Sequence, residues 1–222
     1  MRLTSVDAIP LTAVRLADLT EYRLRCRRCR RPRRDCYCSL IAAFDSDPRF
    51  VILTQPREAK HPFGTGRMAH LCLRNSLLLE GVDFSEDERA NDELHRPDSF
   101  PVLLYPGKDS INLSRQTRAE RQELIPAGRK LAVIVLDGTW KSVRKMIRLS
   151  QNLATLPKVC FEPPALSDYR IRRQPLPHCY STIEAIHHVV DLLAAPGSSP
   201  RPHDNLLTVF HSVIERQLAY TP

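Results

Sequence analysis

Four cysteines, Cys26, Cys29, Cys36 and Cys38, stand in the pattern C-x2-C-x6-C-x-C inside a run of eight arginines between residues 23 and 34. Thiols this close together can close tetrahedrally on one zinc ion, which gives a structural site with no open position for substrate. Arg27, Arg28, Arg30, Arg31, Arg33 and Arg34 project from the knuckle that such a metal creates. A guanidinium fork matches phosphate oxygens, so the pairing predicts a zinc-pinned nucleic-acid grip near the N-terminus. Disulfides are the competing reading. Met1 to Asp18 lacks the basic start and apolar core of a signal peptide, and seven cysteines is an odd number. A reducing compartment and metal binding are therefore expected. Cys72 and Cys160 read as buried free thiols, and Cys179 falls in a loop.

A chain of 222 residues with 42% hydrophobic residues is long enough for one domain and an appendage. The longest aliphatic run, Leu131 to Leu136, is far too short to span a bilayer. A formal net charge of +8 favours a polyanionic partner. The charge is uneven: eight acids against two arginines fall between residues 80 and 98. That stretch reads as a solvated loop turned away from any RNA.

Residues 1–45 form an N-terminal arm followed by the four-cysteine module, and 46–222 read as an α/β core. Strands are expected at Phe50–Thr54, Pro101–Tyr105, Leu131–Leu136 and Lys158–Phe161. Helices are expected at Gly66–Leu79, with Met68, Leu71, Cys72, Leu78 and Leu79 on one side, at Thr139–Leu149, and at Ser181–Ala194. Ser181 lies three residues before Glu184, a capping-box spacing. A Pro/Ser linker, Pro196–His203, precedes a last helix capped by Asp204, with Leu207, Phe210, Val213, Ile214 and Leu218 inward. Unbroken apolar strands alternating with helices predict a mostly parallel sheet with helices on both faces.

Ligands of open α/β sheets collect at the carboxyl ends of the strands. There the segment Leu136-Asp137-Gly138-Thr139-Trp140 places an acid directly after six apolar residues, then a glycine that permits a tight turn. Two readings stand: a ligand site, or a helix cap made by Asp137 or Thr139 with Trp140 packed in the core. Lys141, Arg144, Lys145 and Arg148 form a basic stripe on the helix that follows, read as an RNA contact rather than a merely solvated face. Arg172 and Arg173 lead through a proline-rich loop to Tyr180, Ser181 and Thr182, where a helix N-terminus could hold a carboxylate. His61, His187 and His188 show no ligand spacing with an acid, so no catalytic metal is expected. No P-loop, G-x-G-x-x-G or G-x-S-x-G motif occurs.

Three elements, Cys26-x2-Cys29-x-Arg31-Pro32-x3-Cys36-x-Cys38, Asp137-Gly138-Thr139-Trp140 and Ser181-Thr182-x-Glu184-Ala185, occur in this order over roughly residues 24 to 195. In these the chain resembles the DTW-domain proteins, tRNA-uridine aminocarboxypropyltransferases. Where that family often carries Asn-Thr and His-Pro pairs, this chain has Gly64-Thr65 and Gln55-Pro56.

The resemblance implies a SPOUT-like catalytic domain whose C-terminal part is threaded into a trefoil knot. It implies S-adenosylmethionine as donor, transfer of the 3-amino-3-carboxypropyl group to N3 of a tRNA uridine, and release of methylthioadenosine. Asp137 is then the general base. The donor is expected on Tyr105, Pro106 and Gly107, on Leu136, Gly138, Thr139 and Trp140, and on Tyr180, Ser181 and Thr182, with Thr65 orienting its amino-acid tail. The arginine knuckle, the basic stripe, Arg172 and Arg173 would clamp the tRNA. A monomeric cytoplasmic enzyme with no membrane partner is expected. The alternatives are a tRNA methyltransferase of similar fold and a zinc-containing RNA-binding protein without catalysis.

Overall fold

The aliphatic run of residues 131–136 is unbroken because strands flank it on both edges and helices cover both of its faces. The computed structural model describes residues 24–172, 178–195, 197 and 199–220. The arm 1–22, Arg23, Arg173 and residues 174–177 of the proline-rich loop lie outside the described residues. Among the described residues the strands are β1 (Arg49–Thr54), β2 (Leu77–Glu80), β3 (Ser99–Leu104), β4 (Ile111–Asn112), β5 (Lys130–Asp137) and β6 (Lys158–Cys160). They form one six-stranded sheet in the order β2-β1-β5-β3-β6-β4, and every pairing is parallel.

The helices are α1 (Pro56–Ala59), α2 (Thr65–Cys72), α3 (Glu88–Leu94), α4 (Arg118–Glu123), α5 (Trp140–Leu149), α6 (Gln151–Ala154), α7 (Thr182–Leu193) and α8 (Asp204–Leu218). Alternation along the strands divides the core into two layers, as the period-2 pleat requires. Phe50, Ile52, Val133 and Val135 pack against Met68 of α2, Ile186 of α7 and Phe210 of α8. Val51, Leu53, Ile134 and Leu136 pack against Ala90 of α3, Val143 and Met146 of α5 and Leu153 of α6. Cys29, Tyr37 and Phe44 of the N-terminal module belong to the first layer, with Tyr37 fully buried. Arg216 of α8 donates to the Cys36 carbonyl at 3.3 Å, and Asn205 bonds both Leu40 and Ala42, which ties the module to the last helix.

Three expectations are corrected. The helix read over Gly66–Leu79 ends at Cys72, and Leu77–Glu80 is the edge strand β2. Polar side chains end the helix: Asn75 bonds the Ser46 backbone on both sides, and the Ser76 hydroxyl donates to Leu73 O at 2.8 Å. Leu78 and Leu79 then face opposite layers, as strand neighbours must. The acidic stretch is not only solvated loop. Phe84 is fully buried, Asp87 caps α3 by accepting from Ala90 N at 3.0 Å, and Glu93 pairs with Arg49 at 2.8 Å. Asp204 opens the first turn of α8 rather than capping it, because Arg201 and His187 hold its carboxylate. Leu206 and Val209 join the expected inward residues of that helix as fully buried ones.

Candidate active site and metal centre

Strand register brings the end of β5 level with the end of β1, so Asp137 lies beside Thr54 at the carboxyl edge of the sheet. The chain turns sharply after it; a Cβ on Gly138 would come within 2.8 Å of Ser142 Oγ. Thr139 caps α5, its Oγ1 accepting from Ser142 N at 3.3 Å. Trp140, by contrast, is not packed in the core: it is 39% exposed, with its ring centroid 6.3 Å from that of Tyr105.

Asp137 is 2% exposed. Its Oδ1 accepts a 2.6 Å hydrogen bond from Thr182 Oγ1 at the start of α7. Its Oδ2 is buried without a hydrogen-bond partner. Gly66, in the first turn of α2, makes room for this carboxylate, since a Cβ there would sit 2.5 Å from Oδ2. Burial pushes the Asp137 carboxyl up to about 6, against the lowering effect of the Thr182 hydroxyl.

Around Asp137 opens a cleft of about 440 Å³, within the range of small-molecule sites. Thr65, Tyr105, Pro106, Leu136, Gly138, Thr139, Trp140, Tyr180, Ser181 and Thr182 line it together; Gly107 is exposed and lies outside the lining. The loops that follow β1, β3, β5 and β6 all reach this cleft, the arrangement expected at the carboxyl edge of a parallel sheet.

The structure adds contacts that sequence reading did not place here. Glu58 and Arg172 line the cleft as a bidentate ion pair, with Arg172 Nη2 to Glu58 Oε2 at 3.1 Å. Arg172, expected as an RNA contact, thus faces the cleft with its charge engaged. Tyr169 also lines it and donates to Phe63 O at 2.8 Å. Cys160, expected to be buried, is half-buried in the lining with Cys179, whereas Cys72 is fully buried. Only Gly66 carried a sequence signal, a second glycine next to Thr65 where a helix starts. Ser181 and Glu184 form the expected capping box, Ser181 N donating to Glu184 Oε2 at 2.8 Å. The same carboxylate accepts from Asp168 N at 2.8 Å and from Ser167, so it is fully engaged in fixing the loop before α7.

The cysteine module folds around its turns. Arg30 N donates to Cys26 O, and Cys26 N to Arg31 O, both at 2.8 Å. Backbone N–H groups of Cys29 and Arg28 point at the Cys26 sulfur. The four Sγ atoms lie within 4.8 Å of one another, and the Cys26–Cys38 and Cys29–Cys36 pairs are each 3.7 Å apart. A tetrahedral ion with metal–sulfur bonds of about 2.3 Å requires sulfur–sulfur separations of about 3.8 Å, so this cage fits a metal ion. None of the four is disulfide-bonded in the structure, and the 3.7 Å pairs lie well beyond the roughly 2.0 Å of a disulfide.

The basic side chains divide. Arg27, Arg28, Arg30, Arg33 and Arg34 are exposed on the module, and Lys141, Arg144, Lys145 and Arg148 are exposed along α5. Arg31 is buried at 4% exposure, 4.3 Å over the Phe63 ring and 3.9 Å from Asp35, so it braces the module from inside. Histidines expected to be bland include one exception. His187, His203 and Asp204 gather their ligand atoms within 4.8 Å, a group hidden from spacing because it joins α7 to the start of α8. Arg201 holds Asp204 at 3.0 Å and Asp191 at 2.6 Å, which makes this an ion-paired seam between two helices.

An all-parallel α/β sheet with a cleft at its carboxyl edge and a four-cysteine cage ahead of its first strand defines the class of protein. The chain belongs to the DTW domain family, whose profile matches residues 23–218. A Drosophila melanogaster protein named tRNA-uridine aminocarboxypropyltransferase 2 is 30% identical over 210 residues, covering 91% of this chain and 78% of that protein. The Mus musculus protein of that name is 30% identical over 178 residues, covering 78% of this chain and 57% of its own length. In Macaca fascicularis the figures are 29% over 173 residues, 76% and 56%, so the chain spans little more than half of these mammalian relatives. No solved structure matches the chain. Among the described residues no helix is long and apolar enough to cross a membrane.

Proposed function

We propose that this protein transfers the 3-amino-3-carboxypropyl group of S-adenosylmethionine to N3 of a uridine in tRNA and releases methylthioadenosine. The observation that carries the reading is the Asp137 carboxylate: buried in the wall of the cleft, raised to about 6, and with one oxygen left without a hydrogen-bond partner. It stands in a family whose relatives bear the name of that activity.

Asp137 serves as general base. It takes the N3 proton as the nitrogen–carbon bond forms and the carbon–sulfur bond of the sulfonium breaks, leaving a neutral thioether. A carboxyl that titrates near 6 is mostly ionised at neutral pH and a better proton acceptor than one near 4. The donor adenosine is held by the loops at Tyr105–Pro106, Leu136–Gly138 and Tyr180–Ser181, chiefly through backbone. Trp140 and Tyr105 offer aromatic faces at the rim for stacking a base. The Glu58–Arg172 pair and Thr65 present the charges and hydroxyl suited to a zwitterionic amino-acid tail, and so determine which carbon of the sulfonium meets the base.

The thiolate cage holds structural zinc, and the exposed arginines and the α5 stripe clamp the tRNA backbone. The fold is SPOUT-like with a C-terminal trefoil knot; the return of the chain after β6 to start α7 against the end of β5 is consistent with it. Residues 24–45 form a metal module packed onto a catalytic unit from 46 onward, in a cytoplasmic monomer. The deciding test is mass spectrometry of nucleosides from tRNA incubated with protein and donor. An aminocarboxypropyl-uridine with methylthioadenosine as by-product is expected; S-adenosylhomocysteine would identify a methyltransferase, and no product a binding protein.

A further inference from the structure

One loop separates the cleft from a second cavity. Glu58 and Thr65 line the cleft, while Ala59, Lys60, His61, Pro62 and Gly64, between them, line a hollow of about 390 Å³ against the cysteine module. Arg25, Arg27, Arg30, Lys60, His61 and Arg67 face this hollow, and no carboxylate is in its lining. Within the module Arg31 and Arg34 pair with Asp35, and these two arginines are not in the lining. Arg67 is half-buried, and both burial and the nearby Arg30 charge disfavour its charged form. A bound anion would relieve both effects. Arg30 has φ 61°, the left-handed region where a side chain costs energy and glycine would not. The chain keeps a guanidinium there, facing the hollow.

We propose that this hollow is a phosphate subsite that seats a backbone phosphodiester of the RNA substrate beside the nucleotide that enters the cleft. The proposal rests on the tRNA-modifying reading above and deepens it. Lys60 and Arg67 belong to the catalytic unit, whereas Arg25, Arg27 and Arg30 belong to the module. A phosphate between them would couple the thiolate cage to substrate positioning, with the base directed across the shared loop toward Asp137.

The test is the salt dependence of tRNA binding by the full chain and by Lys60→Gln, Arg67→Gln and Arg67→Lys, with melting temperature and zinc content measured on each. Removing one cation from the subsite is expected to flatten the slope of log affinity against log salt by about 0.7 to 0.9. Arg67→Lys should keep the slope, because it keeps the charge. Lys60 is exposed, so its variant reports even if Arg67→Gln unfolds. An unchanged slope in folded Lys60→Gln and Arg67→Gln overturns the subsite while leaving the proposed reaction standing. Flattened slopes in a protein that makes no aminocarboxypropyl-uridine keep the subsite and overturn the reaction. Failure of the unaltered chain to bind tRNA overturns both.

Discussion

Asp137 is positioned by three elements at once: β5 carries it, Gly66 of α2 yields space to it, and Thr182 of α7 donates to it. The energetics separate a catalytic role from a structural one. The native carboxyl titrates near 6 against a reference of 3.8, so folding favours its protonated form. The stabilising contribution is complete below pH about 4 and is lost as pH rises through about 6; above that, the ionised side chain weakens the fold by on the order of 2 to 3 kcal/mol. Asp137→Asn is therefore expected to melt at the same or higher temperature at a pH of about 7.5, while turnover falls by about a hundredfold or more. In the unaltered protein the proposed reaction's single-turnover rate should rise tenfold per pH unit below about 6 and level off above it. A variant that loses melting temperature and activity in parallel would make Asp137 a brace. Gly66→Ala tests the same carboxylate from the other side. Its methyl would have to displace Oδ2 or unseat α2, at a cost of about 1 to 3 kcal/mol. Turnover should drop well beyond what the loss of folded protein explains, and normal turnover in a folded Gly66→Ala would mean that the carboxylate position is not critical.

At the scale of elements, most strands were legible because a strand buried on both faces writes itself as an unbroken aliphatic run, as at Leu131–Leu136. The helix α7 was legible down to its Ser181–Glu184 box. What misled was Leu77–Leu79, where a helix ending on the side-chain bonds of Asn75 and Ser76 looks like continuing periodicity. The site was legible in its strand-end loops, since Asp137, Gly138 and Tyr180–Thr182 sit at element junctions. It was not legible at Tyr169 or in the pairing of Glu58 with Arg172, which depends on tertiary folding across more than a hundred positions. The cysteine module gives the element-scale prediction. Cys29 and Tyr37 share a core with α8, so removing the metal should loosen more than the knuckle. Metal analysis should find about one zinc per chain, and a chelator or Cys36→Ser should lower the melting temperature of the whole protein in one transition. Freshly prepared protein that holds no metal and contains a Cys26–Cys29 or Cys36–Cys38 disulfide would contradict the assignment.

At the scale of the molecule, the charge distribution argues for a long polyanion rather than a small anionic ligand. The excess of +8 is not smeared over the surface. Asp87 and Glu93 of the 80–98 stretch are drawn into capping and pairing around α3, while exposed cations line the module and the outer side of α5. Helix α5 starts at the Asp137 loop, so its Lys141, Arg144, Lys145 and Arg148 run outward from the cleft itself. Val143 and Met146 anchor the opposite side in the core, which leaves the cations free to be changed without loss of packing. Replacing Arg144 and Lys145 by alanine should therefore keep the melting temperature and donor affinity and weaken tRNA binding. The slope of log affinity against log salt should flatten by about 0.7 to 0.9 for each phosphate no longer neutralised. Turnover at saturating tRNA should stay near normal, because in the proposed arrangement the stripe holds the backbone and does not touch the reacting nitrogen. A folded double variant with an undiminished slope would show that the RNA leaves the cleft by another path.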